Sequence, residues 1–148
     1  MNVEEVIKTQ KALPLGGKTI IHLQLVTNKV LESVGNALKP YDVSLQQFNV
    51  LRILRGQKGN PANLSTLNER MVTKMSNTTR LVDKLISKGY VKRNVCASNR
   101  RKVEIFITNT GESALIEMDK AIANAERELI KSFTSDELKK LNLLLDKF

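Results

Sequence analysis

The chain has 148 residues and a formal net charge of +9, with 24 Lys and Arg against 15 Asp and Glu. Its length and its 41% hydrophobic content suit one globular domain, and its short apolar runs predict no membrane-spanning helix, which needs about 20 apolar residues. The N-terminus lacks the apolar segment of a secretory signal, and one cysteine cannot form an intrachain disulfide, so we expect a cytoplasmic protein.

Helices are predicted at the N-terminal end. Residues 3–13 read as a short helix, and a segment with one proline and two glycines, residues 14–17, separates it from the next element. Apolar residues then recur at helical spacing over residues 18–38, on more than one face of the helix. Pro40 ends this helix, because the residue before a proline is driven out of the helical region.

The next helix has a capping signal at its start. Ser44 is followed three residues later by Gln47, which is the spacing of a capping box, and an apolar stripe then runs to about Arg55. Two glycines and a proline predict a loop over residues 56–63.

Two helices joined by a tight turn follow that loop. Ser65 or Thr66 can cap the first of them, and Thr66 with Glu69 is the better capping box. The second is predicted over residues 74–87, with Gly89 ending it in the left-handed conformation. This order of elements is a helix-turn-helix.

A short hairpin is predicted directly after the helix-turn-helix. Residues 90–95 read as one strand, and apolar alternation over residues 103–108 indicates a second. A polar loop from Cys96 to Lys102 is predicted between them, ending in three consecutive cations. A two-stranded hairpin in this position is a wing.

The C-terminal third returns to helix. Thr108 or Asn109 caps a predicted helix of about six turns, and Thr134 with Glu137 forms a capping box for the last helix. Both ends of the chain therefore carry apolar helices that the winged unit between them cannot cover alone. Such helices predict an association surface.

Most of the net charge lies in the helix-turn-helix and the wing. Residues 65–102 hold ten Lys or Arg and two acids, a net charge of +8, whereas the rest of the chain is close to neutral. Charge concentrated in this way predicts a polyanionic partner. A helix fills the major groove of DNA, and arginines in a hairpin loop reach the narrow minor groove.

The predicted DNA-contacting residues are Ser65, Thr66, Lys74, Ser76, Asn77, Thr78, Thr79, Arg80, Lys84, Asn99, Arg100, Arg101 and Lys102. Apolar residues anchor one face of the reading helix in the core, so three polar ones are expected to face base edges: Asn77, Thr78 and Arg80. Lysines around them are predicted to contact phosphates: Lys74, Lys84 and Lys88.

Three segments resemble a known family. Residues 79–85 read T-R-L-V-D-K-L, residues 88–93 read K-G-Y-V-K-R, and the wing ends in N-R-R-K-V-E-I-F-I-T. These runs are similar to the recognition helix, the following strand and the wing signature of the MarR family of bacterial transcriptional regulators. Asn99 stands where the family usually has Asp, and Ile107 where it usually has Leu.

The resemblance implies a mostly α fold with a small β-hairpin wing. Residues 44–108 would form the winged helix-turn-helix lobe, and residues 1–38 and 109–148 the helical dimerisation region of one MarR-like domain. It implies a homodimer on a pseudo-palindromic double-stranded DNA operator, probing the minor groove with Arg101 and the major groove with Arg80. A repressor released by a small aromatic or apolar effector is the expected function.

Two single residues allow more than one interpretation. Cys96 stands beside cations that can lower a thiol pKa, so it is either a redox sensor of the wing or an incidental thiol. His22 either lines a ligand pocket beside the dimer helices or packs as an ordinary helix residue.

Other functional classes have less support from the sequence. One His and one Cys give no cluster with metal-ligand spacing, and no phosphate-binding glycine loop is present, so we expect no metal, no cofactor and no enzyme. A non-specific nucleic-acid packaging protein is the main alternative, although six aromatic residues are too few for a base-stacking platform. Cations spread over a helix and a hairpin argue against a membrane-surface protein.

Overall fold

A computed structural model of the protein describes residues 1–73, 77–96 and 99–148, without the side chains of residues 100–102. The described residues form helices and one two-stranded sheet, as the sequence predicts: α1 (Val3–Val6), α2 (Leu15–Leu38), a 3-10 turn (Lys39–Tyr41), α3 (Leu45–Gly56), α4 (Leu64–Arg70), α5 (Thr78–Ser87), β1 (Val91–Cys96), β2 (Asn99–Ile107), α6 (Asn109–Ile130) and α7 (Ser135–Leu145). None of these helices combines the length and the apolarity that crossing a membrane requires.

The chain divides into two compact units. Residues 37–124 form the central unit, and residues 1–36 with 125–148 form the terminal unit. The central unit contains all of the predicted lobe, residues 44–108, and extends into α6.

One core joins the helix-turn-helix to the wing within the central unit. Its fully or almost fully buried side chains come from six elements and include Phe48, Leu51, Leu54, Leu67, Val82, Leu85, Val91, Ile105, Leu115 and Met118. Because α3, α4, α5, the hairpin and the start of α6 all contribute, no one of them can move far without opening the core.

The N-terminal prediction is corrected in two respects. Helix α1 ends at Val6, so the predicted helix over residues 3–13 is too long. Helix α2 starts at Leu15, and its first turn includes both glycines that were predicted to precede it. The carbonyl of Pro14 accepts from the amide of Lys18 at 2.9 Å, so the proline stands at the start of the helix, where its missing N–H costs nothing.

Local capping signals predict α3 and α7 correctly. The amide of Gln47 donates to the Ser44 hydroxyl at 3.2 Å, and the Gln47 side chain accepts from the Ser44 amide at 2.8 Å. The same reciprocal pair joins Thr134 and Glu137 at the start of α7. The hydrogen bonds from Thr134 hold the pKa of the Glu137 carboxyl below its usual value.

The capping prediction for α4 is wrong. Asn63 is the capping residue, and its side chain accepts from the amide of Thr66 at 2.8 Å. Ser65 lies inside the helix and donates its hydroxyl to Glu69 at 3.1 Å. Asn is as good an N-cap as Ser, so the sequence offered competing starts one turn apart.

Helix α5 starts at Thr78, later than the predicted residue 74, and Lys74 and Ser76 lie outside the described residues. Its end is as predicted. Gly89 has φ +74, its amide donates to Ile86, and the amide of Tyr90 donates to Leu85. These two bonds form a Schellman motif.

The wing strands extend further than predicted, so the loop prediction is wrong for residue 96 and residues 99–102, and residues 97 and 98 lie outside the described residues. Cys96 belongs to β1, and Asn99 begins β2. Val95 pairs with Val103 and Cys96 with Asn99, so residues 100–102 of β2 lie opposite a single step of β1. This arrangement is a large β-bulge near the end of the hairpin.

Candidate nucleic-acid interface

Helix α5 separates a buried face from a polar face. Thr78, Val82 and Leu85 are buried and recur at the spacing of one helical stripe. On the other side, Arg80 and Lys84 are exposed, one turn apart. Two more predicted contact residues are exposed at the start of the helix: Asn77, in the N-cap position, and Thr79. The helix therefore presents short polar side chains and two cations to solvent.

Thr78 does not face outward, which corrects the prediction that it reads bases. Its side chain is 4% exposed, and its hydroxyl donates to the side-chain oxygen of Asn68. Thr78 is the first residue of α5, and this hydrogen bond joins it to α4. Asn68 and Thr78 thus join the two helices of the helix-turn-helix, a role for which the sequence gives no local signal.

Lys88 is engaged within the protein, which argues against its predicted phosphate contact. Its ammonium lies 2.5 Å from a carboxylate oxygen of Asp42, and its side chain is 25% exposed. The hydrogen bond and the positive charge of Lys88 hold the pKa of Asp42 below its usual value. The side chain of Asp42 is 93% exposed, and its backbone has φ +51 at the end of the 3-10 turn.

A second ion pair joins the reading helix to the wing. A guanidinium nitrogen of Arg93 on β1 lies 3.0 Å from a carboxylate oxygen of Asp83 on α5. On the same strand, the ammonium of Lys92 stands 5.4 Å from the centre of the Phe106 ring on β2. The ion pair joins the hairpin to α5, whereas the contact of Lys92 with Phe106 lies within the hairpin, and each contributes about 1 kcal/mol or less.

The remaining predicted residues lie on α4 and the hairpin. Ser65 is exposed and Thr66 is half-buried on α4. Asn99 is exposed at the first position of β2, opposite Cys96, which is half-buried. The backbone of residues 100–102 lies in β2, and the side chains of Arg100, Arg101 and Lys102 are outside the description.

A junction of four residues, Gly89, Tyr90, Thr108 and Gly111, holds the root of the wing. The hydroxyl of Thr108 donates to the carbonyl of Gly89 at 2.6 Å and accepts from the amide of Gly111 at 3.0 Å. The amide of Thr108 donates to the carbonyl of Tyr90 at 3.0 Å. A Cβ at Gly111 would stand 2.2 Å from that carbonyl oxygen. The end of α5, the start of β1 and the start of α6 therefore meet at one point.

The comparisons with known proteins assign this arrangement to a family. The MarR family profile matches residues 43–103. Over 138 residues the chain is 30% identical to the multiple antibiotic resistance protein MarR of Escherichia coli (strain K12), covering 91% of this chain and 90% of that protein. The chain belongs to the MarR family. It is thus a DNA-binding transcriptional regulator and not an enzyme, as its sequence predicts.

A second relative and a solved structure are also similar to this chain. YfiV of Bacillus subtilis (strain 168), an uncharacterized HTH-type transcriptional regulator, is 30% identical over 93 residues, which span 63% of this chain and 56% of that protein. A crystal structure of a Cys-to-Ser mutant of E. coli MarR, complexed with operator DNA, is 27% identical with a TM-score of 0.75 and covers 99% of this chain and 98% of that one.

Within this MarR-family fold, the single histidine lies away from the winged lobe in sequence. His22 is half-buried on α2, and a shallow hollow of the same helix is lined by other side chains: Ile20, Leu23, Gln24, Thr27 and Asn28. In the part of the chain that the structure describes, no three His, Cys, Asp or Glu side chains are grouped as metal ligands.

Proposed function

We propose that the protein is a cytoplasmic homodimeric repressor that reads a pseudo-palindromic operator with α5 and the wing of each subunit. The carrying observation is the orientation of α5, which buries Thr78, Val82 and Leu85 and exposes Arg80 and Lys84. A relative of the same fold has been crystallised on operator DNA. Occupation of a promoter by such a dimer would block transcription.

The exposed residues of α5 fall into two chemical groups, one suited to base edges and one suited to backbone phosphates. Arg80 can donate two hydrogen bonds to the major-groove edge of a guanine, and Asn77 and Thr79 can each donate or accept one beside it. Lys84, one turn further along, suits a backbone phosphate, which fixes position without reading sequence. Residues 99–102 would enter the adjacent minor groove, where a cation is attracted by the narrow groove's negative potential.

The terminal unit supports dimerisation through its uncovered apolar side chains. Leu15 is 82% exposed, Leu143 67% and Phe148 84%, and other large apolar residues of α2 and α7 are also exposed. Exposed apolar side chains of this kind are stabilised by burial against a second copy. Two lobes held by such a contact would meet successive major grooves, about 34 Å apart on one face of the duplex.

Release by a small aromatic or apolar effector is the part of the proposal that rests on family resemblance alone. The physical requirement is a ligand that binds better to a dimer whose lobes are wrongly spaced for the operator. His22, which is half-buried, and the thiol of Cys96 are two positions at which an effector-induced change in lobe spacing can be tested.

Selection of bound fragments from random duplex DNA, followed by fluorescence anisotropy at about 150 mM salt, tests the function. We expect the selected operator to compete with random duplex by at least about tenfold, and usually by about 10³ or more, with two half-sites in inverted repeat. Sedimentation should give a dimer at operator-binding concentrations. Equal affinity for operator and random duplex would instead identify a packaging protein, and a monomeric complex would exclude the proposed assembly.

A further inference from the structure

A cleft in the central unit lies away from the polar face of α5. It has a volume of about 320 Å³ and is lined by Asn49, Arg52, Ile53 and Gly56 of α3, by Arg70 at the end of α4, and by Val72 in the turn that follows. The α3 residues recur at the spacing of one helix face, which borders the buried face that holds Phe48 and Leu51. None of the six lining residues is acidic.

Two guanidinium groups converge on this cleft without an anionic partner among the described residues. Arg52 and Arg70 are both exposed, and neither forms an ion pair in that part of the chain. By contrast, Arg55 on the same helix lies 2.5 Å from Asp119. Two like charges on one cleft repel each other, and an oxyanion between them would relieve that repulsion and form forked hydrogen bonds.

The cleft is partly preorganised. The guanidinium carbon of Arg52 stands 5.7 Å from the centre of the Phe48 ring, and that phenylalanine is only 2% exposed. Stacking on a fixed ring limits the rotamers of the arginine, so less side-chain entropy is lost when an anion binds. The amide of Asn49 adds a neutral donor and acceptor one turn away.

The same cleft has an apolar wall at the turn of the helix-turn-helix. Ile53 is half-buried, and Val72 is 90% exposed, the highest fraction among the large apolar residues that the structure describes. A valine so exposed beside two cations suits a ligand with an acidic group and a small apolar body. The cleft volume falls within the range of about 300–1,000 Å³ typical of small-molecule sites.

We propose that this cleft is an oxyanion-binding site whose ligand is a small organic carboxylate or phosphate monoester. Arg52 and Arg70 bind the acidic group, and Ile53 and Val72 contact the apolar body. Since Val72 belongs to the turn between α4 and α5, occupation of the cleft biases the position of the reading helix. This last consequence rests on the proposed DNA-binding function, whereas anion binding itself does not. A backbone phosphate of duplex DNA has the same oxyanion chemistry and is the other source that the test must distinguish.

Amide NMR of the full-length protein, titrated separately with benzoate and with phenyl phosphate, tests anion binding without DNA. We expect saturable shifts of the Ile53, Gly56 and Val72 signals for both anions and none for uncharged benzyl alcohol. Replacing both arginines, Arg52→Gln with Arg70→Gln, should weaken binding at least about tenfold. Lys120→Gln, which removes an exposed cation paired with Glu117 on α6, should leave binding unchanged. Circular dichroism confirms that each variant is folded.

Salt titrations of duplex DNA binding distinguish the two sources of oxyanion. If the unmodified protein binds neither small anion and the double variant loses about 1–2 from its salt slope, the cleft holds a DNA phosphate, because each phosphate contact contributes about 0.9. If the small anions bind and the slope is unchanged, the ligand is a free anion. The proposal is overturned if the unmodified protein binds neither anion and the slope stays the same. Failure to prefer an operator would refute the proposed function and leave the anion result intact.

Discussion

Among the glycines, Gly111 is the one at which an added methyl group should destabilise the protein most. It is the third residue of α6, and it packs so closely on the start of β1 that an added Cβ would stand 2.2 Å from the carbonyl oxygen of Tyr90. The same Cβ would lie 2.9 Å from a side-chain carbon of Ile107. Normal contacts need more than 3 Å, so in Gly111→Ala the backbone of α6 or β1 must move by about 1 Å.

The expected destabilisation by Gly111→Ala combines three costs and one gain. Overpacking costs about 1–3 kcal/mol, and the shift weakens two hydrogen bonds of the junction, the cap on Gly111 and the Thr108–Tyr90 bond, at about 1 kcal/mol each. Alanine is the better helix former by up to about 1 kcal/mol. The net result is a loss of about 2–4 kcal/mol, opposite in sign to what helix propensity alone predicts.

Urea unfolding followed by circular dichroism measures this loss at one fixed protein concentration. With a slope of about 1–3 kcal/mol per molar urea, the midpoint should fall by about 1–2 M. Gly17→Ala is the matched control, because nothing lies within 4 Å of the Cβ it adds to α2, and it should be neutral or stabilise by up to about 1 kcal/mol. A Gly111→Ala protein as stable as the parent would refute the close contact at the junction.

Three further substitutions test contacts in and beside the helix-turn-helix. Thr78→Val removes the buried hydroxyl that donates to Asn68 and leaves the half-buried side-chain oxygen of Asn68 without this donor, so the free energy of unfolding should fall by about 1–2 kcal/mol in urea titrations, and an unchanged value would contradict this hydrogen bond. Arg80→Ala should cost about 1–3 kcal/mol of operator affinity and relax preference at one base pair, measured by anisotropy on single-site operator variants; equal losses on every sequence would make it a phosphate contact. Asp42 has a lowered pKa in the folded protein, so its contribution to stability is present above the unfolded value near 3.8 and is lost as pH falls through the folded value. The difference in unfolding free energy between the parent and Asp42→Asn should therefore be present at pH 7 and vanish in strong acid. A difference that does not depend on pH would contradict the ion pair between Asp42 and Lys88.

Elements with local signals were predictable from the sequence. The capping boxes at Ser44 and Thr134 and the left-handed Gly89 depend on residues within four positions of one another. The start of α4 was not predictable in the same way, because Asn63, Ser65 and Thr66 are all good N-cap residues and local preference does not choose among them.

The wing was underestimated because its strands carry no apolar alternation near the hairpin end. Residues 98–102 are polar or charged, a composition typical of loops, and the bulge at residues 100–102 breaks the period of two. The bridge between Ala62 and Ile105, with hydrogen bonds of 2.9 and 2.8 Å, was also unpredictable. The two residues lie more than forty positions apart in the sequence, so no local pattern predicts their pairing.

The Lys and Arg residues between positions 65 and 102 have different surroundings in the structure. Of the ten Lys and Arg in residues 65–102, Lys88 and Arg93 are engaged by Asp42 and Asp83, so these two hold the central unit together rather than face a ligand. Arg80 and Lys84 are exposed on α5, and Arg70 lines the cleft at α3. The cations behind the net charge of +8 therefore do not share one surface. Composition alone cannot separate them, because pairing is decided by tertiary contacts such as Lys88 with Asp42, whose positions in sequence are 46 residues apart.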